Sequence, residues 1–591
     1  MLIKFLQWSV LVAIAANFLA FSSTAQSADA DTRLAALFHA ERAFYYRENP
    51  GTGPHGEPAP VATSMRRVSV ADQDRRMRAF EGFLADISQI KRSALETKNQ
   101  INYDMFQYKL ESDLLPLRFR TWRLPLYSDS GFHTSPARMW RAISFRSEAD
   151  YLAYIDQLKD LPRYLAEHQD NLKIGMAEGF TMPKIVLKGL LGTFHLLVGE
   201  SAEQSDFYTP FRKMIVSLSD TEKSLLRSKA VTVLEEQVFP AYAKLAAFME
   251  DVYYPAARND IAAYGLPNGK TYYGAMVRYY TTLDITPDEV HEIGLREVAR
   301  IRAEMEKTIK ESGFTGSFSE FLNFLRTDPQ FYAKSEQELL MHASYLAKKI
   351  DGRLPGLFGH LPRQPYGVEA VPASLAANYS TGRYLQAPLG APRGGYYWVN
   401  TYALDKRPLY NLPALTLHEA VPGHHLQIAL AAELRDVPEF RLDIYPHAFG
   451  EGWGLYSEKL GLELDIYTTA YENFGRLSYE MWRACRLVID TGIHSKGWTR
   501  DRAIQLLENN SALSTLNIRT EVDRYIAWPG QALAYKMGEL KILELRKRAT
   551  EALGKNFDVK AFHDKVLSAG GIPLYMLEAR IDSWIAERLI D

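Results

Sequence analysis

The chain has one cysteine, Cys485, in 591 residues, so no disulfide can form within it. It also lacks an excess of charge: 69 basic side chains face 71 acidic ones, a net −2. Nothing in the global charge recommends nucleic acid as a partner. There is only one long apolar run, at the N-terminus, and mean hydropathy is −0.23, which excludes a polytopic membrane protein. Internal repeats and low-complexity segments are absent as well. With 47% hydrophobic and 24% charged residues, disorder is excluded. What is left is a large folded chain with a substantial core, long enough for roughly two to four domain-sized units.

The apolar run, residues 1–25, has the layout of a secretory signal. Lys4 supplies the positive start, Phe5 to Phe21 the apolar stretch, and Ser23-Thr24-Ala25 the small residues of a cleavage site. Gln7 and Asn17 interrupt the stretch, which favours cleavage over spanning. No cysteine lies near the cut, which argues against a lipid anchor. The expectation is an exported protein, periplasmic or extracellular, with no stable membrane insertion after cleavage.

The remainder reads as mainly α. Apolar residues recur at helical spacing over 31–48, 72–107, 231–264 and 335–351. Thr286 is a cap, Pro287 fits a first turn and acids follow, which predicts a helix to about residue 312. Strand signals are confined to 366–371 and to 395–402, the latter after the turn-like Pro392-Arg-Gly-Gly. They predict a small antiparallel sheet. Leu266-Pro-Asn-Gly269 marks a turn and a boundary between a helical lobe at 26–265 and a second region at 266–591.

Three of the 14 histidines fall within eight residues, in His418-Glu419-Ala-Val-Pro-Gly-His424-His425. Phe449-Gly-Glu451-Gly-Trp453-Gly-Leu-Tyr456-Ser-Glu458 follows downstream. A zinc hydrolase needs three protein ligands, an open position for water and a carboxylate beside that water. His-Glu, later histidines and a further acid supply those types. The usual helical spacing is H-E-x-x-H, but here the fourth position after His418 is Pro422. Proline cannot donate to the His418 carbonyl, so an unbroken helix is disfavoured and a bulge or kink is expected. On an ideal helix His425 would share the His418 face but lie about 10.5 Å along the axis. A two-residue bulge would bring His424 to the usual ligand position. His424 is therefore preferred, with His425 as alternative ligand or substrate-facing donor.

These motifs, with 266–282, 396–402, 483–499 and 524–542, resemble a bacterial family filed as domain of unknown function 885. The likeness covers most of residues 260–550. That family in turn resembles the helical zinc peptidases of the glutamate-zincin group, whose pattern is His-Glu, then Gly-His, then a glutamate some two dozen residues later. Gly423-His424 matches the second element, and Glu451 follows His424 by 27 residues. The resemblance implies a zincin-like, two-lobed helical peptidase fold with the small sheet beside the active-site helix. It implies one Zn²⁺ held by His418, His424 and Glu451, with Mn²⁺ or Co²⁺ as alternatives, and Glu419 as general base. The related peptidases stabilise the oxyanion from a late helix, which makes Tyr525, Tyr535 and His494 candidates. Glu458, seven residues after Glu451, is placed to support a ligand histidine. The segment 395–402 could offer an edge strand to an extended peptide. Arg483, Arg486, Arg524 or Lys536 could hold a substrate carboxylate. His447 reads as a structural histidine, Trp453 equally well as packing or as a substrate contact, and Cys485 as a buried small hydrophobe. The expected substrate is a short peptide or peptide-like molecule. The alternatives are a zinc amidase using the same centre and a metal-free binding or scaffold protein.

Overall fold

Capping chemistry sets the helix ends. In helix α1 (Pro287–Glu311) the Thr286 hydroxyl accepts from Glu289 N, while the Glu289 carboxylate accepts from Thr286 N. Ser335 caps the helix Glu336–Asp351 in the same region. The computed structural model describes residues 28–590 except 56, 58, 198–200, 377–378 and 388–392, so the expected signal segment lies outside it. The described residues are mainly helical with one small sheet.

Periodicity overran two breaks. The run predicted at 72–107 is two helices, Val70–Ser88 and Thr97–Arg118, because Ile90 and Leu95 in the link are themselves buried. The run at 231–264 is interrupted by π-turns at Leu234–Val238 and Met249–Tyr253 and stops at Ala256. Each π-turn precedes a proline, Pro240 or Pro255, whose missing N–H removes an ordinary helical bond.

Strands β1 (Tyr366–Ala370), β2 (Gly382–Leu385) and β3 (Gly395–Val399) form the sheet in the order β1-β3-β2. β3 runs parallel to β1 and antiparallel to β2. The sheet is therefore mixed, not antiparallel, and β3 is its centre rather than an edge. Tyr397 and Val399 are buried, so the most apolar strand takes the position covered on both sides. The edge beside the site belongs to β2, whose Gly-Arg-Tyr-Leu carries no strong strand signal.

Helices α2 (Leu412–Glu419), α3 (His424–Ala432), α4 (His447–Leu460), α5 (Ala470–Lys496), α6 (Thr515–Ala527) and α7 (Ala534–Leu553) surround the site. Buried side chains from Leu34 to Ile585 join one continuous apolar core. α5 runs through it, buried without interruption from Phe474 to His494. α1 lies against α5 at Gly294, where a Cβ would stand 2.8 Å from Leu487 and Val488. Among the described residues no helix is long and apolar enough to cross a membrane.

α5 carries Arg476, Glu480, Arg483, Arg486, Asp490 and His494 at spacings of three or four, which puts them along one side of the helix. Burial makes each need a partner. Glu480 bonds Arg476, Arg300 and Lys536; Arg486 pairs with Glu521. Asp490 accepts from the Tyr273 hydroxyl at 2.5 Å and from Gly530 N at 3.1 Å, with no cation. Burial raises its carboxyl to about 7 against those two bonds. A carboxyl raised on folding contributes its stability below the unfolded-state value near 4 and loses it as pH climbs through about 7. From pH 5 to pH 8 this group should cost about 2–3 kcal/mol. Urea unfolding at both pH values should show that the fall in stability from pH 5 to pH 8 shrinks by about this amount in Asp490→Asn.

Candidate metal centre

Pro422 ends the helix that carries His418. α2 stops at Glu419 and α3 starts at His424, with Ala420 at ψ −106°, a cis Val421–Pro422 bond and Gly423 at ψ −128° between them. The expected bulge is thus a full break between two helices. The chain folds back so tightly that a Cβ on Gly423 would stand 1.9 Å from the His418 carbonyl oxygen. Only glycine fits there. Trp453 closes the turn by donating from Nε1 to Pro422 O at 2.7 Å. Fully buried, Trp453 packs and does not face substrate.

The break brings His424 opposite α4. One ligand atom from each of His418, His424 and Glu451 lies within 4.8 Å of the other two. Glu451 Oε2 is 3.7 Å from His418 Nε2 and 3.4 Å from His424 Nε2. Bonds of 2.0–2.2 Å around a tetrahedral ion place neighbouring ligand atoms about 3.3–3.6 Å apart, so these separations suit one ion. The opposite nitrogens are fixed from outside. His418 Nδ1 is 2.8 Å from Glu458 Oε1. His424 Nδ1 is 2.8 Å from Gln427 Nε2, which also donates to Gly450 O at 3.0 Å. Burial penalises a charged His418, but its bonds to Glu451 and Glu458 prevail and push it up to about 10. Burial likewise opposes ionisation of Glu451, yet His418 and His424 hold it well below the usual carboxylate range. The trio already demands positive charge at its centre, which is the chemistry a divalent cation meets.

Glu419 sits beside the trio, 9% exposed, and its Oε2 accepts from Tyr384 N of β2 at 2.8 Å. His425 turns away to the sheet: Nδ1 is 2.9 Å from the Tyr384 hydroxyl, the ring lies against Tyr366, and burial lowers it to about 4. The structure does not bring it to the trio.

The late-helix candidates divide. Both His494 nitrogens are occupied by backbone, Ala263 N and Tyr525 O. The Tyr525 hydroxyl, 1% exposed, accepts from Trp482 and Arg486. Neither is free to meet a substrate. Tyr535 accepts from Arg524 at 3.3 Å, with Arg486 over its ring. Lys536 is enclosed by Glu297, Glu480 and Glu539 and offers nothing to a substrate carboxylate. Arg483 turns to Glu458, Arg486 to Glu521 and Arg524 to Gln531. His447 packs among Tyr280, Tyr445 and Trp528. Cys485 is fully buried, which pushes its thiol up to about 12 and leaves it inert.

Sequence reasoning missed Tyr445. A Cβ on Gly450 would stand 2.2 Å from its hydroxyl, so glycine next to Glu451 makes room for it. Burial first, then the charges of Glu451, Tyr535 and Glu419, keep this hydroxyl protonated. Yet 42% of the residue is accessible to solvent. Its only sequence signal was its place just before the helix that carries Glu451.

The chain can now be set beside known proteins. No curated protein matches it. A protein from Colwellia psychrerythraea described as a lipoprotein superposes with a TM-score of 0.86 at 28% identity, covering 94% of this chain and all of that one. Another from Shewanella oneidensis, described as a lipoprotein of unknown function, has a TM-score of 0.73 at 18% identity over 92% of this chain and 99% of its own, a likeness of fold alone. The sequence model of the family "bacterial protein of unknown function (DUF885)" matches residues 53–581, nearly the whole described chain, and the protein belongs to that family.

Proposed function

We propose that the chain is an exported zinc-dependent metallopeptidase that hydrolyses short peptides. The observation that carries this reading is the His418–His424–Glu451 trio with Glu419 next to it. The finer view of the fold, a zincin-like pair of helical lobes at 26–265 and 266–591 around a cleft, belongs with it. Export draws support from the neighbours described as lipoproteins. A non-peptide amide substrate would use the same centre and is separated from peptides by the digest below.

His418, His424 and Glu451 would hold the ion; Mn²⁺ or Co²⁺ suits the same donors. When bound, the metal acidifies water and polarises a carbonyl. Glu419, held at Oε2 by Tyr384 N, takes the water proton on its other oxygen and hands it to the leaving amine. Tyr445, protonated and accessible beside Glu451, donates to the developing oxyanion. It takes the role first considered for Tyr525 and His494, and Tyr535 lies close enough to bear on its hydroxyl. Glu458 keeps His418 Nδ1 occupied and so aims Nε2 at the centre.

Elemental analysis with a peptide-library digest tests this. The wild-type chain should carry about one equivalent of zinc and cleave peptides. Glu419→Gln should keep the metal and lose activity by about 10²–10⁴-fold. Less than about a tenth of an equivalent of metal after reconstitution would sink the proposal. Tyr445→Phe should lower kcat by about 10²–10³-fold with metal content unchanged. In Gly454→Ala the new Cβ would stand 2.7 Å from the His418 ring. Zinc titration against a competing chelator should show its affinity down by about 10–100-fold while circular dichroism stays that of the wild type.

A further inference from the structure

A cavity of about 310 Å³ lies one helical turn from Glu419. Leu415, on the Glu419 face of α2, forms part of its wall, with Thr381 and Val399 at the end of the sheet. Tyr479 closes another side and feels the charges of both Arg407 and Glu419, so the cavity and the general base are within electrostatic reach of each other.

The cavity wall carries three cations, Arg326, Lys406 and Arg407, and one acid, Asp405. The four cations first considered for a substrate carboxylate, Arg483, Arg486, Arg524 and Lys536, already have partners. Arg326 and Arg407, both on the cavity wall, have no carboxylate within ion-pair distance among the described residues. Arg326 donates to Ser511 O and leaves a buried Nε with no partner. Arg407 donates from Nε only to Tyr402 O. Lys406, also lining, is tied to Asp405 at 2.6 Å. The first turn of α6, capped by Ser514 and free of acids, lines the same space. Two guanidiniums without counter-ions at a recess call for an anion. Leu339, Leu412, Leu513 and Leu516 supply apolar wall beside them.

The sheet gives the direction. Asn400 N donates to Thr381 O, and Tyr384 N to Glu419, so the backbones of Gly382 and Tyr384 face away from β3. The outer edge of β2, where Tyr384 N is held by Glu419 and Gly382 O accepts from Ser380 Oγ, therefore borders the general base. A peptide adding antiparallel to β2 runs with its C-terminus towards Thr381, and Thr381 lines the cavity.

We infer that this cavity receives the C-terminal residue of a peptide substrate: Arg326 and Arg407 hold its free carboxylate and the leucines its apolar side chain. The inference rests on the peptidase reading and deepens it to cleavage near the C-terminus.

The test is binding to the Glu419→Gln chain, which needs no turnover. Acetyl-Ala-Ala-Leu and its C-terminal amide are titrated calorimetrically. The acid should bind about tenfold or more tighter than the amide. Arg407→Gln and Arg326→Gln, each in that background, should bring the acid-to-amide ratio close to one while affinity for the amide stays put. The ratio does not depend on the fraction of chain folded, and two variants guard against one failing to fold. Equal binding of acid and amide, or a ratio unchanged in both variants, overturns the inference. Because the ratio is read without hydrolysis, it stands or falls separately from peptide cleavage by the wild-type chain.

Discussion

Everything at the site depends on how closely one imidazole lies against one helix. Gly454 has no side chain, so the His418 ring lies directly on α4, in the space a Cβ would fill. From that position Glu451, one turn before, reaches Nε2, and Glu458, one turn after, reaches Nδ1. Two acids seven residues apart on one helix thus bracket both nitrogens of one ring. Helical repeat makes this possible, since seven residues bring a side chain back to nearly the same face. Gly452 continues the logic on the other side of α4, where a Cβ would stand 2.4 Å from the Gly538 Cα of α7. The helix bearing Glu451 is therefore fixed from two directions by missing side chains, and the metal-ligand separations follow from backbone packing.

The buried charges of α5 do related work further from the centre. A desolvated charge needs partners close by, and partners on other helices fix how those helices sit. Glu480 draws Arg300 from α1 and Lys536 from α7 onto α5, and Arg483 comes from α5 to Glu458 of α4. The residue after Tyr535 is thus anchored by carboxylates, which explains why Lys536 serves position rather than substrate. The same accounting leaves Arg258, Arg326, Arg407 and Arg441 held by neutral oxygens alone, and of these Arg326 and Arg407 line the cavity near Glu419.

The sequence made some of this legible and hid the rest for identifiable reasons. His418, Glu419, His424, Glu451 and Glu458 could be read because their relations are local or repeat along one helix. Thr286 and Ser335 were readable as caps, since a cap needs only its next three residues. Pro422 announced a break but not its form, because a fold-back depends on Trp453, 31 positions on, donating to its carbonyl. Tyr445 was one tyrosine among 34, and only the approach of Gly450 marks it. β3 drew attention as an apolar strand, and that apolarity is what made it central and left the edge to β2. Arg326, in the last turn of the helix Phe318–Thr327, and Arg407, in a loop, showed nothing in sequence, since a missing partner is visible only in three dimensions.

The cost of the centre bears on the scaffold alternative. His418 is 3% exposed, Glu458 1% and Glu419 9%, and their ionised forms give up solvation to be there. Replacing a buried ionic group by well-packed apolar residues is often neutral or stabilising, so a chain selected only to fold or to bind would gain by losing these side chains. Groups shifted as far as His418 and Glu451 are found more often at sites that do chemistry than in a scaffold. Glu419 sharpens the point. It belongs to no ion pair in the centre, and its one fixed bond, from Tyr384 N, leaves the other oxygen uncommitted. A base that must take and release a proton needs one oxygen held and one free, and Glu419 has that arrangement.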